Sequence, residues 1–379
     1  MKIGIDARTL YHPRTGITRY LSVFLQQWIQ KTEDREHSVY LYFPRAIVIP
    51  DAIQFPEEIH LRFYGGRSLL PKAMHDYLYF HFWLPFQLRM DGVDLFWGVQ
   101  HEIPHLIRFF SGSVFVTIHD FVLFSMPETM RFRGWWKKRI KQWEFGRALK
   151  YSDKIITDSE STSADLRRYF PKYSEKIKKI YPGFISTPSS SYPPAELGGM
   201  PHRQILRYFL SVGSLQPRKN LVRASQSFLR ICGEERWKDV YYIIAAPHRW
   251  KCDGLPHQEK LLFLENVNDA ELAWLYQNAI ALVYPSLLEG FGFPILEAYA
   301  HGCPVLTSQC SSMPEVGGDL AVYVDPYSID SIANGMCALL QNDKIRDNVK
   351  LKWDAHKRHF DASHFLQQLL TLFLERKNL

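Results

Sequence analysis

The 379-residue sequence contains no Asp-x-Asp pair, no Gly-x-Gly-x-x-Gly and no Cys-x-x-Cys. The first absence removes one common pair of carboxylates for holding a divalent ion, and no metal is expected. The second counts against a nicotinamide-dependent dehydrogenase, because the first strand turns through DARTLYHPRTG instead of a glycine-rich dinucleotide loop. The third, with only five cysteines (an odd number, all beyond residue 200), argues against a disulfide framework or a zinc site and for a reducing compartment. No run of about 18 apolar residues is available to span a membrane. Asp6 and Arg8 interrupt the stretch where a signal peptide needs an apolar core. These features lead to the expectation of a cytoplasmic protein, with the inner membrane face as its one other location. Nucleic-acid motifs are lacking too, so a net charge of +7 is not read as a nucleic-acid signature.

Apolar residues make up 46% of the chain, enough for a large core, and 379 residues fit two or three domains. The charge is unevenly spread. Residues 1–200 hold 27 basic and 20 acidic side chains, whereas residues 201–379 hold 19 of each. Short segments rich in Val, Ile and aromatics alternate with amphipathic stretches such as DAELAWLYQNA (269–279) and SIDSIANGMCALLQN (328–342). The apolar segments include KIGID, SVFVTIHD (113–120), KIITDS (154–159), RYFLSVGS (207–214), YYIIAA (241–246), AIALVYPS (279–286), PVLTS (304–308) and AVYVDP (321–326). The alternation predicts an α/β fold with parallel sheets covered on both faces. Residues 182–202 hold five Pro, three Gly and five Ser or Thr, a composition expected to pack little. The resulting division is a lobe over 1–185, a linker over 186–202, a second lobe over 203–360, and a helix over 361–379 free to return to the first lobe. Two such lobes would leave a cleft between the carboxyl ends of two sheets, where open α/β folds bind ligands.

The segment PSLLEGFGFPILEAYAHG (285–302) follows a strand. Gly290 and Gly292 uncover backbone N–H groups, Pro294 suits the first turn of a helix, and Gly302 suits its end. A glycine loop entering a helix N-terminus is an anion site. Glu297, about one turn inside that helix, is placed to accept two ribose hydroxyls. In SVGSLQPRKN (211–220), Gly213 turns the chain after a strand, and Arg218 and Lys219 are adjacent cations suited to a diphosphate.

These two segments resemble the family 4 retaining glycosyltransferases of GT-B fold. Glu289 and Glu297 fit the family's E-x7-E motif, and Gly213 to Asn220 fit G-x-L-x-PRKN. The likeness extends to MKIGIDARTL, VTIHD (116–120), SDKIITDSESTSADLRRYF (152–170) and SMPEVGGDLAVYVDP (312–326), and fades over about 40–110. It implies two Rossmann-like doubly wound lobes, no cofactor, and a nucleotide-diphosphate sugar such as GDP-mannose as donor. It implies a glycan or lipid-linked oligosaccharide as acceptor, in cell-surface polysaccharide synthesis. By the same resemblance Glu297 holds the ribose and Glu289 contacts the donor sugar. The backbone at Phe291, Gly292 and Phe293 meets sugar and phosphates, Arg218 and Lys219 neutralise the leaving diphosphate, and ENVND (265–269), centred on Val267, packs the base. Gly16 lets an N-lobe loop approach the diphosphate, and His119 lies near the transferred sugar. His119, Glu289, Lys219 and Arg218 are thus the expected catalytic set. Asp120 is open to two roles, orienting the imidazole or capping the next turn. The sequence departs from its relatives at Ser214, where many carry Arg, and at AAPHRW (245–250), where many carry a Gly pair.

Residues 131–150 contain eight basic side chains and one acidic. Phe132, Trp136, Ile140 and Trp143 fall on one helix face. Packed inward they form a core stripe; turned outward they, with the cations, suit an anionic membrane surface. Two other readings remain open on residues alone: a GT-B-fold sugar-nucleotide epimerase, which lacks the PRKN and E-x7-E pair, and a non-catalytic basic membrane-surface binder.

Overall fold

Apolar strands alternating with capped amphipathic helices assemble, in a computed structural model, into two parallel-sheet units. The structure describes all residues except 12–14, 32–35, 47–55, 66–70, 130–134, 187–190, 200–206, 247–253, 257, 343 and 376–379. One unit comprises Met1–Phe124, Phe132–Phe184 and Phe360–Leu379; the other comprises Ser125–Arg131 and Ile185–His359.

The first unit runs β1 (Lys2–Asp6), α1 (Gly16–Gln30), β2 (Ser38–Phe43), β3 (Ile59–Phe63), α2 (Lys72–Leu78) and α3 (Leu84–Met90). A π-helical turn, Tyr79–Trp83, joins α2 to α3. Then follow β4 (Leu95–Gly98), β5 (Ser113–Ile118), α4 (Val122–Ser125), α5 (Trp135–Tyr151), β6 (Lys154–Thr157), α6 (Glu160–Tyr169) and β7 (Ile177–Lys179). The strands form one sheet in the order β3-β2-β1-β4-β5-β6-β7, with every pairing parallel. Thr15 caps α1 by accepting from the Thr18 N–H at 3.2 Å, and Ser159 caps α6 in the same way at 3.1 Å. Tyr20, Leu21, Phe24 and Trp28 recur at helical spacing on α1 and are buried.

The second unit holds β8 (Arg207–Val212), α7 (Leu221–Cys232), β9 (Val240–Ala245), β10 (Leu261–Leu264), α8 (Asp269–Asn278), β11 (Ala281–Tyr284), α9 (Phe293–Ala300), β12 (Val305–Ser308), α10 (Met313–Gly317), β13 (Val322–Val324), α11 (Ile329–Gln341) and α12 (Lys344–His356). Its sheet has the order β10-β9-β8-β11-β12-β13, again parallel throughout. A capping box starts α8: the Asn268 side chain accepts from the Glu271 N–H, and Glu271 accepts from the Asn268 N–H.

The final helix, α13 (Ala362–Leu374), is capped by Asp361 and packs in the first unit. Phe365 meets Tyr20 at 5.1 Å between ring centres, and Phe373 meets Trp97 and Phe115 at 5.4 and 5.7 Å. The stretch expected to pack little does pack in part. Pro182 and Gly183 are buried, and a Cβ on Gly183 would come within 2.7 Å of the Ala362 Cα. Only glycine admits the start of α13 so closely. Further along, Leu197 is buried in a 3-10 turn, Ala195–Gly199.

Phe373→Ala should therefore destabilise the first unit by about 3–5 kcal/mol through a cavity beside two aromatic rings, Trp97 and Phe115. Urea denaturation followed by tryptophan fluorescence checks this, since Trp97 borders the lost ring.

Candidate functional site

In each sheet the winding direction reverses once. In the second unit the reversal falls between β8 and β11, the neighbours from which β9 and β12 extend in opposite directions. Ligand sites in open α/β sheets form outside the carboxyl ends of such strands. The chain beyond β8 carries Arg218 and Lys219; the chain beyond β11 carries Glu289.

Gly213 has φ +117°, a conformation open to glycine, and its N–H bonds to the Ala245 carbonyl at 3.0 Å. The PRKN segment forms a single 3-10 turn, Pro217–Lys219. Asn220 anchors it: its side-chain amide donates to the Pro285 and Pro326 carbonyls at 3.1 and 2.6 Å. The Leu287 N–H also bonds to the Arg218 carbonyl at 2.7 Å. These bonds tie the two loops together and bring both cations to one carboxylate. Arg218 Nη1 lies 2.5 Å and Lys219 Nζ 2.6 Å from the two oxygens of Glu289. Arg218 also donates to Gln216 and to the Leu288 carbonyl, and Lys219 to the Tyr284 hydroxyl. Glu289 is only 7% exposed. Burial alone would raise its pKa; Lys219 and Arg218 override that and hold it at about 2. The triad is thus ionised at neutral pH, with one positive charge in excess.

Immediately beyond it, Gly292 (φ +121°) precedes α9, with Pro294 in the first turn. Gly292 is thus the N-cap and Phe293 the first residue of α9, which places the opening turn of that helix directly after the Glu289 loop. Ser311 and Ser312 hold this loop. Both hydroxyls donate to the Glu289 carbonyl, at 2.6 and 3.1 Å, and Ser312 also reaches the Phe291 carbonyl at 2.7 Å. Glu297, half-buried one turn into α9, accepts from the Tyr276 hydroxyl at 3.0 Å. Val267 lies half-buried between β10 and α8. Tyr276, Tyr284, Ser311 and Ser312 escaped sequence reasoning. Ser311 precedes the SMPEVGG match and Ser312 opens it with no role assigned, whereas the tyrosines resemble ordinary core residues. Among the described residues, no three His, Cys, Asp or Glu side chains converge as a metal-ligand set.

The remaining expected residues lie in the first unit. Gly16 is the exposed first residue of α1. His119 follows β5, and its two ring nitrogens face two acceptors. Nδ1 lies 2.5 Å from Asp158 and Nε2 2.7 Å from the Val99 carbonyl. Oxygen atoms on both sides favour the doubly protonated ring. Burial opposes that charge, but Asp158 outweighs it and raises the pKa. His119 thus has both ring nitrogens engaged inside its own unit, by Asp158 and the Val99 carbonyl, an arrangement that favours the charged ring. Asp120 takes the capping role, accepting from the Val122 N–H at 3.2 Å, and Asp158 orients the imidazole. Phe132, His248 and Arg249 lie outside the described residues.

Residues 202–352 match the model of the family described as glycosyl transferases group 1. The chain is 25% identical to the O-antigen chain mannosyltransferase B of Escherichia coli, over 98% of this chain and 99% of that one. It is 29% identical to the O-antigen chain mannosyltransferase RfbU of Salmonella typhimurium, over 79% of each. Among solved structures it resembles sucrose-phosphate synthase from Thermosynechococcus elongatus, with a TM-score of 0.75, 16% identity, and coverage of 99% of this chain and 98% of that one. The fold is GT-B.

Glu289 carries a folded pKa of about 2 against an ordinary 4.5, so its pairing stabilises the protein above about pH 4.5 and is lost as pH falls toward 2. Urea midpoints measured from pH 7 to pH 2 should show this acid-side loss. Glu289→Gln, already missing the pairing, should show a shallower one, and Glu289→Ala should cost about 3–5 kcal/mol at pH 7 by leaving buried cations unpaired.

Proposed function

From a chain that is a glycosyltransferase of GT-B fold, with residues 202–352 matching the glycosyl transferases group 1 family, we propose a retaining, metal-independent hexosyltransferase. It moves mannose from a nucleotide-diphosphate sugar such as GDP-mannose to a lipid-linked or growing surface glycan. The mannosyl and O-antigen assignments rest on what the two bacterial relatives are named for. The observation that carries the chemistry is the buried Arg218–Lys219–Glu289 cluster at the N-terminus of α9.

Breaking the bond between the anomeric carbon and the diphosphate sends an electron pair to the phosphate oxygen. An acceptor hydroxyl forms the new bond and gives up its proton to the departing diphosphate oxygen. Charge therefore grows on the diphosphate in the transition state. Fixed cations and helix N–H groups stabilise that state more than the bound substrate. These residues supply the counter-charge that a divalent ion supplies elsewhere, and the missing Asp-x-Asp fits the same reading. Glu297, with Tyr276 beside it, is placed to hold the ribose hydroxyls.

The acceptor side is read from the first unit's surface. The aromatic stripe of α5 is not core-facing: Trp136, Ile140 and Trp143 are 64, 52 and 56% exposed, while Phe145, Ala148 and Leu149 are the buried positions. Phe82, Phe86 and Met90 on the α2–α3 helix are exposed as well, and His105 bridges the helices by touching Tyr77 and Trp143. Exposed rings beside Lys137, Lys138 and Arg139 fit an anionic bilayer, each cation contributing about 1 kcal/mol at low salt. Lys141 does not belong to that face, since it pairs with Glu102 and Glu144, both at 2.9 Å. Among the described residues no helix is long and apolar enough to cross a membrane.

Incubation with GDP-mannose and a mannose-terminated lipid acceptor should give a product with the donor's anomeric configuration by NMR, and EDTA should leave the rate intact. Glu297→Ala should raise the donor Michaelis constant at least tenfold, since each charge-assisted hydrogen bond contributes about 1.5–3 kcal/mol. An inverted product would overturn the retaining assignment, and an unchanged constant the ribose assignment. In flotation assays the protein should bind phosphatidylglycerol vesicles at low salt and detach at high salt. Changing Lys137, Lys138 and Arg139 to Glu should abolish that binding; equal binding to neutral vesicles would remove the charge argument.

A further inference from the structure

The chain leaving β12 is joined to the chain leaving β11 by side-chain hydroxyls. The two strands stay in register as far as Tyr284 and Thr307. From there the Thr307 hydroxyl donates to the Tyr284 carbonyl at 2.8 Å, and the Ser308 hydroxyl to the Ser286 carbonyl at 2.5 Å. Ser311 and Ser312 then reach the carbonyls of Glu289 and Phe291, at 2.6 to 3.1 Å. We propose that Ser311 and Ser312 are positioning residues for sugar transfer, whose hydroxyls set the backbone orientation of residues 289–292. The part in transfer rests on the glycosyl-transfer reading; the hold on the loop rests on the hydrogen bonds themselves.

Both serines forgo an easier local arrangement to make these bonds. Ser311 has φ +56°, in the left-handed region where a Cβ is crowded and glycine is the ordinary occupant. Glycine cannot supply the hydroxyl, which accepts from the Glu289 N–H at 3.2 Å while donating to the Glu289 carbonyl at 2.6 Å. One side chain thereby satisfies both backbone polar groups of the residue that pairs with Arg218 and Lys219. Ser312 stands at the N-cap of α10, where a serine ordinarily accepts from the N–H groups of the first turn. Its hydroxyl makes no such bond, and its backbone is already helical, with φ −78° and ψ −4°. The side chain is fully buried and bonds to the loop instead.

Peptide geometry carries the consequence. In a trans peptide the carbonyl and the N–H of the next residue point in opposite directions. Holding the Glu289 carbonyl toward the serines therefore turns the Gly290 N–H away from them. Holding the Phe291 carbonyl does the same for the Gly292 N–H. Neither glycine has a Cβ to restrict rotation of these peptide planes, so the hydroxyls supply the restraint. Backbone donors help a developing negative charge most when their direction is set in advance. Removing a hydroxyl should then reduce turnover and leave donor binding nearly intact.

Ser311→Gly and Ser311→Ala remove the same hydroxyl, but only alanine keeps a Cβ at φ +56°. Urea midpoints should therefore rank the glycine variant above the alanine variant. Turnover with GDP-mannose should fall equally in both, at least tenfold, with the donor Michaelis constant within threefold of the parent chain. Rates are expressed per nucleotide site, counted by calorimetric titration with GDP, so that a partly unfolded variant is corrected for. Hydrogen–deuterium exchange over residues 285–293 should rise in both variants, and Ser312→Ala should act in the same direction on exchange and turnover. A glycine variant with undiminished turnover, turnover that ranks with the urea midpoints, or unchanged exchange overturns the proposal. If the parent chain transfers no mannose, the transfer reading fails and the positioning role fails with it. If the parent transfers mannose and the variants match it, only the positioning role fails.

Discussion

A parallel sheet grows by crossovers that lay each new strand beside an earlier one. Where growth turns back and proceeds from the other side of the first strand, the chains leaving two adjacent strands diverge to opposite faces and leave a crevice between them. Both units of this protein have one such place, between β1 and β4 and between β8 and β11. A cluster of opposite charges gathers at each. In the second unit the crevice is filled by Arg218, Lys219 and Glu289, and in the first by Arg8, Glu102 and Lys141. The two clusters share a design, with one carboxylate bridging two cations of different type. They differ in balance, since Asp6 and Glu144 add carboxylates to the first unit's cluster that the second unit's cluster lacks.

Burying such clusters demands that every partner be held. The backbone does much of that work through residues with no charge of their own. Asn220 and the two serines of the loop before α10 bind carbonyls of the segments that carry Arg218, Lys219 and Glu289. His119 follows the same rule, with two acceptors defining both the ring plane and the charge state.

Much of this was legible from residues. Eight strands announced themselves as short apolar runs. The E-x7-E and PRKN segments located the second unit's crevice, because glycine and proline at those positions mark tight turns at strand ends and the opening of a helix. The strands β2, β3 and β4 were harder. They lie in the stretch from 40 to 110, where aromatics are so frequent that strand and helix faces look alike. The roles of Asp158 and Glu102 could not be read at all: each meets its partner across nearly forty residues or more, and nothing local marks a carboxylate as paired. The outward face of α5 is a similar case. A run of tryptophans at helical spacing suits a core as well as a surface, and only Phe145, Ala148 and Leu149 taking the inner positions decides it.

The closing of the first unit by α13 has a consequence for the order in which the molecule takes shape on the ribosome. Tyr20, Trp97 and Phe115 lack their partners until Phe365 and Phe373 emerge, after nearly all of the second unit has been made. At usual elongation rates that interval is roughly ten to forty seconds. The part synthesised first is thus completed last. During the wait an aromatic trough stands open on the nascent chain, a natural foothold for chaperones and a vulnerable point for any message truncated before α13.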